Sequence, residues 1–171
     1  AIPRALYDQG IKRYGFHGLS YRYIAGQLAV LAPDAKVVAA HLGSGASLCA
    51  IRGGESIDSS MGFSTLDGIP MATRSGALDP GVILHLMGEM GHSLKQVETM
   101  LYRESGLLGV SGISADMRRL REEAGKGNED ARRAIAQFTH RVVRESGALV
   151  ACLGGLDVLA FSGGIGEHDV A

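Results

Sequence analysis

Between Lys36 and Ser59, three short runs of strand-forming residues are separated by almost nothing, and this spacing restricts the fold more than any other feature of the chain. Lys36–Leu42, Ser47–Arg52 and Glu55–Ser59 read as strands, joined through Gly43-Ser44-Gly45 and Gly53-Gly54. A parallel neighbour needs a crossover of about a dozen residues or more, so joins of hairpin length make these three strands antiparallel neighbours. A helix precedes them, capped by Ser20, running to about Leu31 and ended by Pro33. Residues 60–79 read as an irregular loop carrying polar groups. Asp79-Pro80 then starts a helix that stops near Gly91, and Ser93 with Gln96 forms a capping box for the next, which ends at Gly106. A short helix over Asp116–Glu123 is followed by a long one from about Asn128 to Leu153, with Ile135, Phe138, Val142, Leu149 and Leu153 at helical spacing. Val158–Ser162 reads as a buried strand, and Gly163-Gly164-Ile165-Gly166-Glu167 as the turn after it. The order predicts an α/β fold, a mixed sheet with packed helices.

Glycine accounts for 25 of 171 residues, about double the usual share, yet there are only four prolines and no low-complexity run. The glycines collect at segment ends, where they let backbone N–H groups approach a ligand, and this suggests a phosphate-handling protein. Seventeen Lys+Arg against eighteen Asp+Glu give a net charge of −1, which excludes a general nucleic-acid binder. No apolar run reaches the length of a bilayer span, and Ala1-Ile2-Pro3-Arg4 lacks the layout of a signal peptide. Cys49 and Cys152 both lie in apolar stretches and are expected as reduced, buried thiols of a cytoplasmic protein.

Two glycine turns carry the chemistry-bearing pattern: His41-Leu42-Gly43-Ser44-Gly45-Ala46-Ser47 and Ser162-Gly163-Gly164-Ile165-Gly166-Glu167. Each alone is an ordinary turn; together, at strand ends, they can form facing nests of N–H groups that bind phosphate. Gly125-Lys126 is not a P-loop, because Leu120 replaces the leading glycine, and Asp169 replaces the third glycine of a dinucleotide fingerprint. Arg74 has no acidic neighbour in sequence and is either a surface arginine or a group that neutralises a transferring phosphoryl. His17 is either a structural histidine or a hydrogen-bond donor to an anion. Asp116, followed by Met117 and Arg118, is either a helix cap or a ribose or base contact. His85, Glu89 and His92 could share a helix face as metal ligands, although Gly88 and Gly91 weaken that helix; no metal ligand is assigned. The arginines at 118, 119, 121, 132, 133, 141 and 144 alternate with acids and read as a solvated or subunit-facing surface.

Taken together, the strings Arg13-Tyr14-Gly15-Phe16-His17-Gly18, His41–Ser47, Met61-Gly62-Phe63, Thr73-Arg74-Ser75-Gly76, Leu78-Asp79-Pro80-Gly81, Ser105–Gly109 and Gly163–Glu167 resemble the acetokinase (acetate kinase) family along essentially the whole chain. The resemblance implies the ribonuclease H-like fold of the acetate and sugar kinase, heat-shock chaperone and actin superfamily. It also implies reversible transfer of the ATP γ-phosphoryl to acetate with Mg²⁺, giving acetyl phosphate and ADP, in a cytoplasmic homodimer without nucleic-acid or membrane partners. By position, His17 and Arg74 resemble the transition-state-stabilising pair. His41, Leu42, Gly43, Ser44 and Gly45 resemble the first phosphate loop; Asp116, Met117 and Arg118 the adenosine segment; Gly164, Ile165, Gly166, Glu167 and His168 the last nucleotide loop. Ser44, Ala72, Tyr21 and His168 depart from the usual Asn, Gly, His and Asn. Residues 1–171 are expected to be one nucleotide-binding domain, part of the C-terminal domain of a two-domain kinase whose acid-binding arginine, catalytic aspartate and magnesium-side groups lie outside this chain. Propionate or butyrate as the acid, and a non-catalytic nucleotide-binding or dimerisation role for the chain alone, are the alternatives.

Overall fold

A computed structural model describes residues 1–169. Four strands, β1 (Lys36–Leu42), β2 (Ala46–Arg52), β3 (Glu55–Ser59) and β4 (Val158–Ser162), form one sheet in the order β3-β2-β1-β4. The hairpin-joined strands pair antiparallel, Leu42 opposite Ala46 and Arg52 opposite Glu55. Gly53 and Gly54 both take positive φ, +58° and +78°, which is the primed turn that matches strand twist. β4 joins parallel to β1 with Val37 opposite Val158 and His41 opposite Ser162, so the sheet is mixed as expected.

Alternation along β1 and β2 divides the core between two faces. On one face Val38, Ala40, Leu48 and Ala50 pack with Leu107, Leu120, Ile135, Phe138 and Leu149 from α5 (Gly106–Ser111), α6 (Met117–Gly125) and α7 (Glu129–Leu153). On the other, Val37, Ala39, Cys49 and Ile51 pack with Tyr21 and Ile24 of α2 (Gly18–Leu31). The result is a helix–sheet–helix sandwich. α7 begins at Asn128, whose side chain accepts from the N–H groups of Asp130 and Ala131 at 3.0 Å, and ends at Gly154 in the left-handed region. α3 (Pro80–Gly88) is capped by Asp79, and α4 (Leu94–Arg103) carries the Ser93–Gln96 capping box.

Several sequence expectations are corrected. α2 is not capped by Ser20; it starts three residues earlier with His17 at the N-cap position, and Ser20 bonds His41 instead. A short helix, α1 (Arg4–Asp8), precedes it. The helix after Ser93 stops at Arg103, and Gly106 begins the separate α5. The segment after β4 is not an open turn but a short helix, α8 (Gly163–His168). β4 is not buried: it is the sheet edge, α7 crosses β1, β2 and β3 without covering it, and Leu159 and Phe161 are half-exposed. Cys152 is exposed and only Cys49 is buried; both thiols are free. Among the described residues no helix is long and apolar enough to cross a membrane.

Candidate active site

The candidate residues gather at the ends of β1 and β4, where the parallel pair opens. Gly43, Ser44 and Gly45 turn the chain from β1 into β2, closed by Gly43 N–H donating to Gly45 C=O at 3.1 Å. β4 ends alongside, and its continuation through Gly163 (φ +81°) comes so close to β1 that a Cβ there would lie 2.6 Å from the Leu42 carbonyl oxygen. Only glycine fits, and this contact aims α8 at the Gly43–Ser44 turn.

A cavity of about 830 Å³ lies between these elements and α6. Gly43 and Ser44, then Ala115 to Arg118, then Gly164, Ile165 and His168 line it. Three segments singled out by sequence, far apart along the chain, thus meet around one space of ligand size. Not all of their residues face it. The Leu42 side chain belongs to the core, Gly166 is turned to Phe161 and Leu42, and Glu167 accepts from the Gly163 N–H at 3.1 Å. Asp116 is the cap of α6, accepting from Arg118 N–H at 2.9 Å, and it also pairs with the Arg118 side chain at 2.7 Å. That pairing holds its carboxyl below the usual range. The cap reading holds for Asp116, which also lies on the cavity wall.

Arg121, read from sequence as part of a solvated or subunit-facing surface, lines the cavity, held by two bonds of 3.0 Å to Asp169. Its position four residues after the buried Met117 is the signal that marks it, since i and i+4 share a helix face. Arg141 likewise leaves the solvated set, donating to the Gly68 carbonyl at 3.0 Å. The suggested metal face does not form. α3 ends at Gly88, before His92, and among the described residues no three His, Cys, Asp or Glu side chains could hold an ion.

His17 and Arg74 stand at the other end of the same turn. A Cβ built on Gly45 would lie 3.3 Å from His17 Nε2 and 3.8 Å from Arg74 Nη1, so both groups face one point over Gly45. The Arg74 loop is fixed by main-chain bonds: Ala72 N–H to Ser44 C=O (3.2 Å), Met71 N–H to Arg74 C=O (3.1 Å), Ser105 N–H to Thr73 C=O (3.0 Å) and Leu107 N–H to Met71 C=O (2.9 Å). Arg74 makes no ion pair among the described residues, and Nη1 rests on the Met71 sulfur at 3.7 Å. Its charge is therefore available to a ligand. His17 is the one non-glycine with positive φ among the described residues, 60°, and such strain persists where surroundings dictate it. Its ring lies 4.5 Å from that of His41. Burial, then His41, then Arg74 push the His17 pKa below the ordinary histidine value; burial also lowers that of His41, against the opposing pull of Glu167. His41 Nδ1 is 3.1 Å from the hydroxyls of both Ser20 and Ser162.

Comparison with known proteins decides what this arrangement belongs to. The family model described as "Acetokinase family" matches residues 1–171. The chain belongs to the acetokinase family. An acetate kinase of Rhodopseudomonas palustris is 55% identical over 98% of the chain, and one of Methylocella silvestris is 56% identical over 98%. The chain spans 42% of the length of each of these relatives. Among solved structures, Porphyromonas gingivalis acetate kinase superposes with a TM-score of 0.94 at 38% identity, covering 99% of this chain and 44% of that one. A propionate kinase from Francisella tularensis gives 0.93 at 42% identity, covering 98% and 44%. The acetokinase chain thus has the fold of acetate and propionate kinases, as its motifs implied.

Proposed function

We propose that this chain supplies the nucleotide-binding and phosphoryl-stabilising part of an acetate kinase, in one domain. The observation that carries the reading is the shared turn: Gly43 and Ser44 border the ligand-sized cavity, while Gly45, next in the turn, lies under both His17 Nε2 and Arg74 Nη1. ATP lies with its adenosine between Asp116–Arg118 and the Gly164–His168 helix. Its phosphates follow the turn, and the γ-phosphoryl reaches the point over Gly45. An acetate oxygen attacks that phosphorus as the bond to the ADP oxygen breaks. A carboxylate is already ionised at neutral pH, so no general base is required; what is needed is alignment and neutralisation of the charge on the transferring group. Arg74, without a carboxylate partner among the described residues, and the imidazole of His17 provide both.

Magnesium belongs to the family's reaction, but these residues do not fit a resident metal centre. Asp116 is engaged by Arg118, Asp169 by Arg121 and Glu167 by the Gly163 N–H. The ion is assigned to the nucleotide and to groups outside this chain, and the chain alone is read as catalytically incomplete. Family membership also supports a homodimer and a cytoplasmic setting. The acid is the least constrained element: one methylene changes selectivity by about 1–3 kcal/mol, and a propionate kinase is among the structural relatives.

The test is Arg74→Ala in the full-length kinase. The expected result is a fall in kcat of about 10²–10³-fold, typical of removing one preorganised donor, with ADP affinity little changed. An unchanged kcat for acetyl phosphate formation refutes the role. Assay of the 171-residue chain by itself, in protein shown to be folded, tests incompleteness: Arg74-dependent turnover refutes it.

A further inference from the structure

Tyr21 lies on α2 one turn beyond His17, buried against the sheet, and the proposed reaction gives it no task. Its hydroxyl is hydrogen-bonded to Ser47 Oγ, and Ser47 Oγ is 2.7 Å from His17 Nδ1. Ser47 is fully buried, so no water competes for its single proton. We propose that Tyr21 is a positioning residue: through Ser47 it fixes the tautomer of His17, placing the ring proton on Nε2, where it faces the point over Gly45. This rests on the reading of His17 given above.

The argument is one of proton counting. Burial drives the tyrosine pKa far upward, so the phenol keeps its proton and must place it. The side-chain oxygen within hydrogen-bond reach of it is Ser47 Oγ. The phenol therefore donates to Ser47 Oγ. The serine hydroxyl, now accepting from Tyr21, has its own proton left for His17 Nδ1. A neutral imidazole that accepts at Nδ1 carries its proton at Nε2. Nε2 is the nitrogen 3.3 Å from the Gly45 Cβ position, so the relay turns His17 into a donor toward the transferring group. The lowered pKa of His17, set by burial, by His41 of β1 and by Arg74 of the facing loop, makes the tautomer matter: near neutral pH the ring carries one proton, not two.

The experiment uses the full-length kinase with ¹⁵N-labelled histidine, the His17 signals being assigned by their loss in His17→Gln. Long-range ¹H–¹⁵N correlation reports which ring nitrogen is protonated. Wild type is expected as the Nε2–H tautomer. Tyr21→Phe keeps the ring and its packing but frees Ser47 to accept, so a population with Nδ1–H appears. In that variant kcat falls roughly two- to tenfold above the His17 pKa, the worth of one ordinary hydrogen bond. Little is lost below that pKa, because the imidazolium has N–H on both nitrogens. A wild-type Nδ1–H tautomer overturns the proposal, and that measurement needs no variant to fold. An unchanged tautomer in Tyr21→Phe, or a loss of kcat equal at every pH, overturns it as well. Full activity in His17→Gln refutes instead the reading of the site, whatever the tautomer.

Discussion

Gly45→Ala places one methyl group at the position where the proposed chemistry occurs. Gly45 is outside the positive-φ set, so alanine adds no backbone strain, and its contacts would be side-chain tips only: His17 Nε2 at 3.3 Å and Arg74 Nη1 at 3.8 Å. The nearer contact requires the ring to yield by a few tenths of an ångström, which a half-buried side chain can do. Folding stability should therefore stay within about 0.5 kcal/mol of wild type, as for most substitutions that bury no polar group and open no cavity. Catalysis should respond differently. Donors act on a transition-state oxygen at about 2.7–3.1 Å, and a methyl at this point keeps a phosphoryl oxygen from both groups. Loss of one such donor costs about 10²–10³ in kcat, so the variant should lose at least about 100-fold, or about 2.7 kcal/mol. The assay is kcat for acetyl phosphate formation in the full-length enzyme, with urea denaturation run in parallel. A kcat within threefold of wild type in a stable variant refutes the convergence of His17 and Arg74 on the transferring group. A collapse of stability refutes the claim that the turn tolerates a methyl.

Three further predictions concern the scaffold and its titration. Gly106→Ala would set a Cβ 2.1 Å from the Met71 carbonyl oxygen and 2.7 Å from that of Arg74 at a φ of +61°. Left-handed strain and the loss of the Leu107-to-Met71 bond should together cost about 3 kcal/mol in urea denaturation, and kcat should fall with the displaced Arg74. Asn128→Ala removes the acceptor for two N–H groups at the start of α7 and should lower stability by about 1 kcal/mol, seen as a reduced urea midpoint with unchanged slope. His17 and His41 both have folded pKa values below the usual 6.5, so the unfolded chain binds more protons in the window beneath that value. Stability is then full above about pH 6.5 and declines as pH falls toward the folded pKa values. His17→Gln should flatten this decline in melts run between about pH 7.5 and 5.5.

The sheet was largely legible because its cause is local. Hairpin-length glycine joins admit one pairing, and β1, β3 and β4 have the boundaries read from sequence. Caps at Asp79, Ser93 and Asp116 were legible for the same reason. What escaped depends on partners remote in sequence. α5 has six residues and a glycine of positive φ at its start, and it is held by main-chain bonds to the loop of residues 71–74 that no pattern within 106–111 reveals. The environment of β4 is set by where α7 stops covering the sheet, so an apolar strand reads as buried although Leu159 and Phe161 are not. Cys152 is hidden in the same way by the apolar run ending α7. In the site, residue types and turns marked His17, Arg74 and the glycines. Arg121 carries one weak mark, its place four residues after Met117, and that mark gains meaning only once Met117 is seen on the cavity wall.

The bonds that seat Arg74 join peptide groups almost exclusively, Ala72 to Ser44 and Met71 and Thr73 to the 105–107 segment. Every residue except proline carries the same donor and acceptor, so such a mooring is indifferent to side-chain identity. Ser44 and Ala72 meet in this mooring through N–H and C=O alone. Variation can accumulate there without shifting the guanidinium, and the freedom ends at Gly106, where any side chain would strike the Met71 carbonyl.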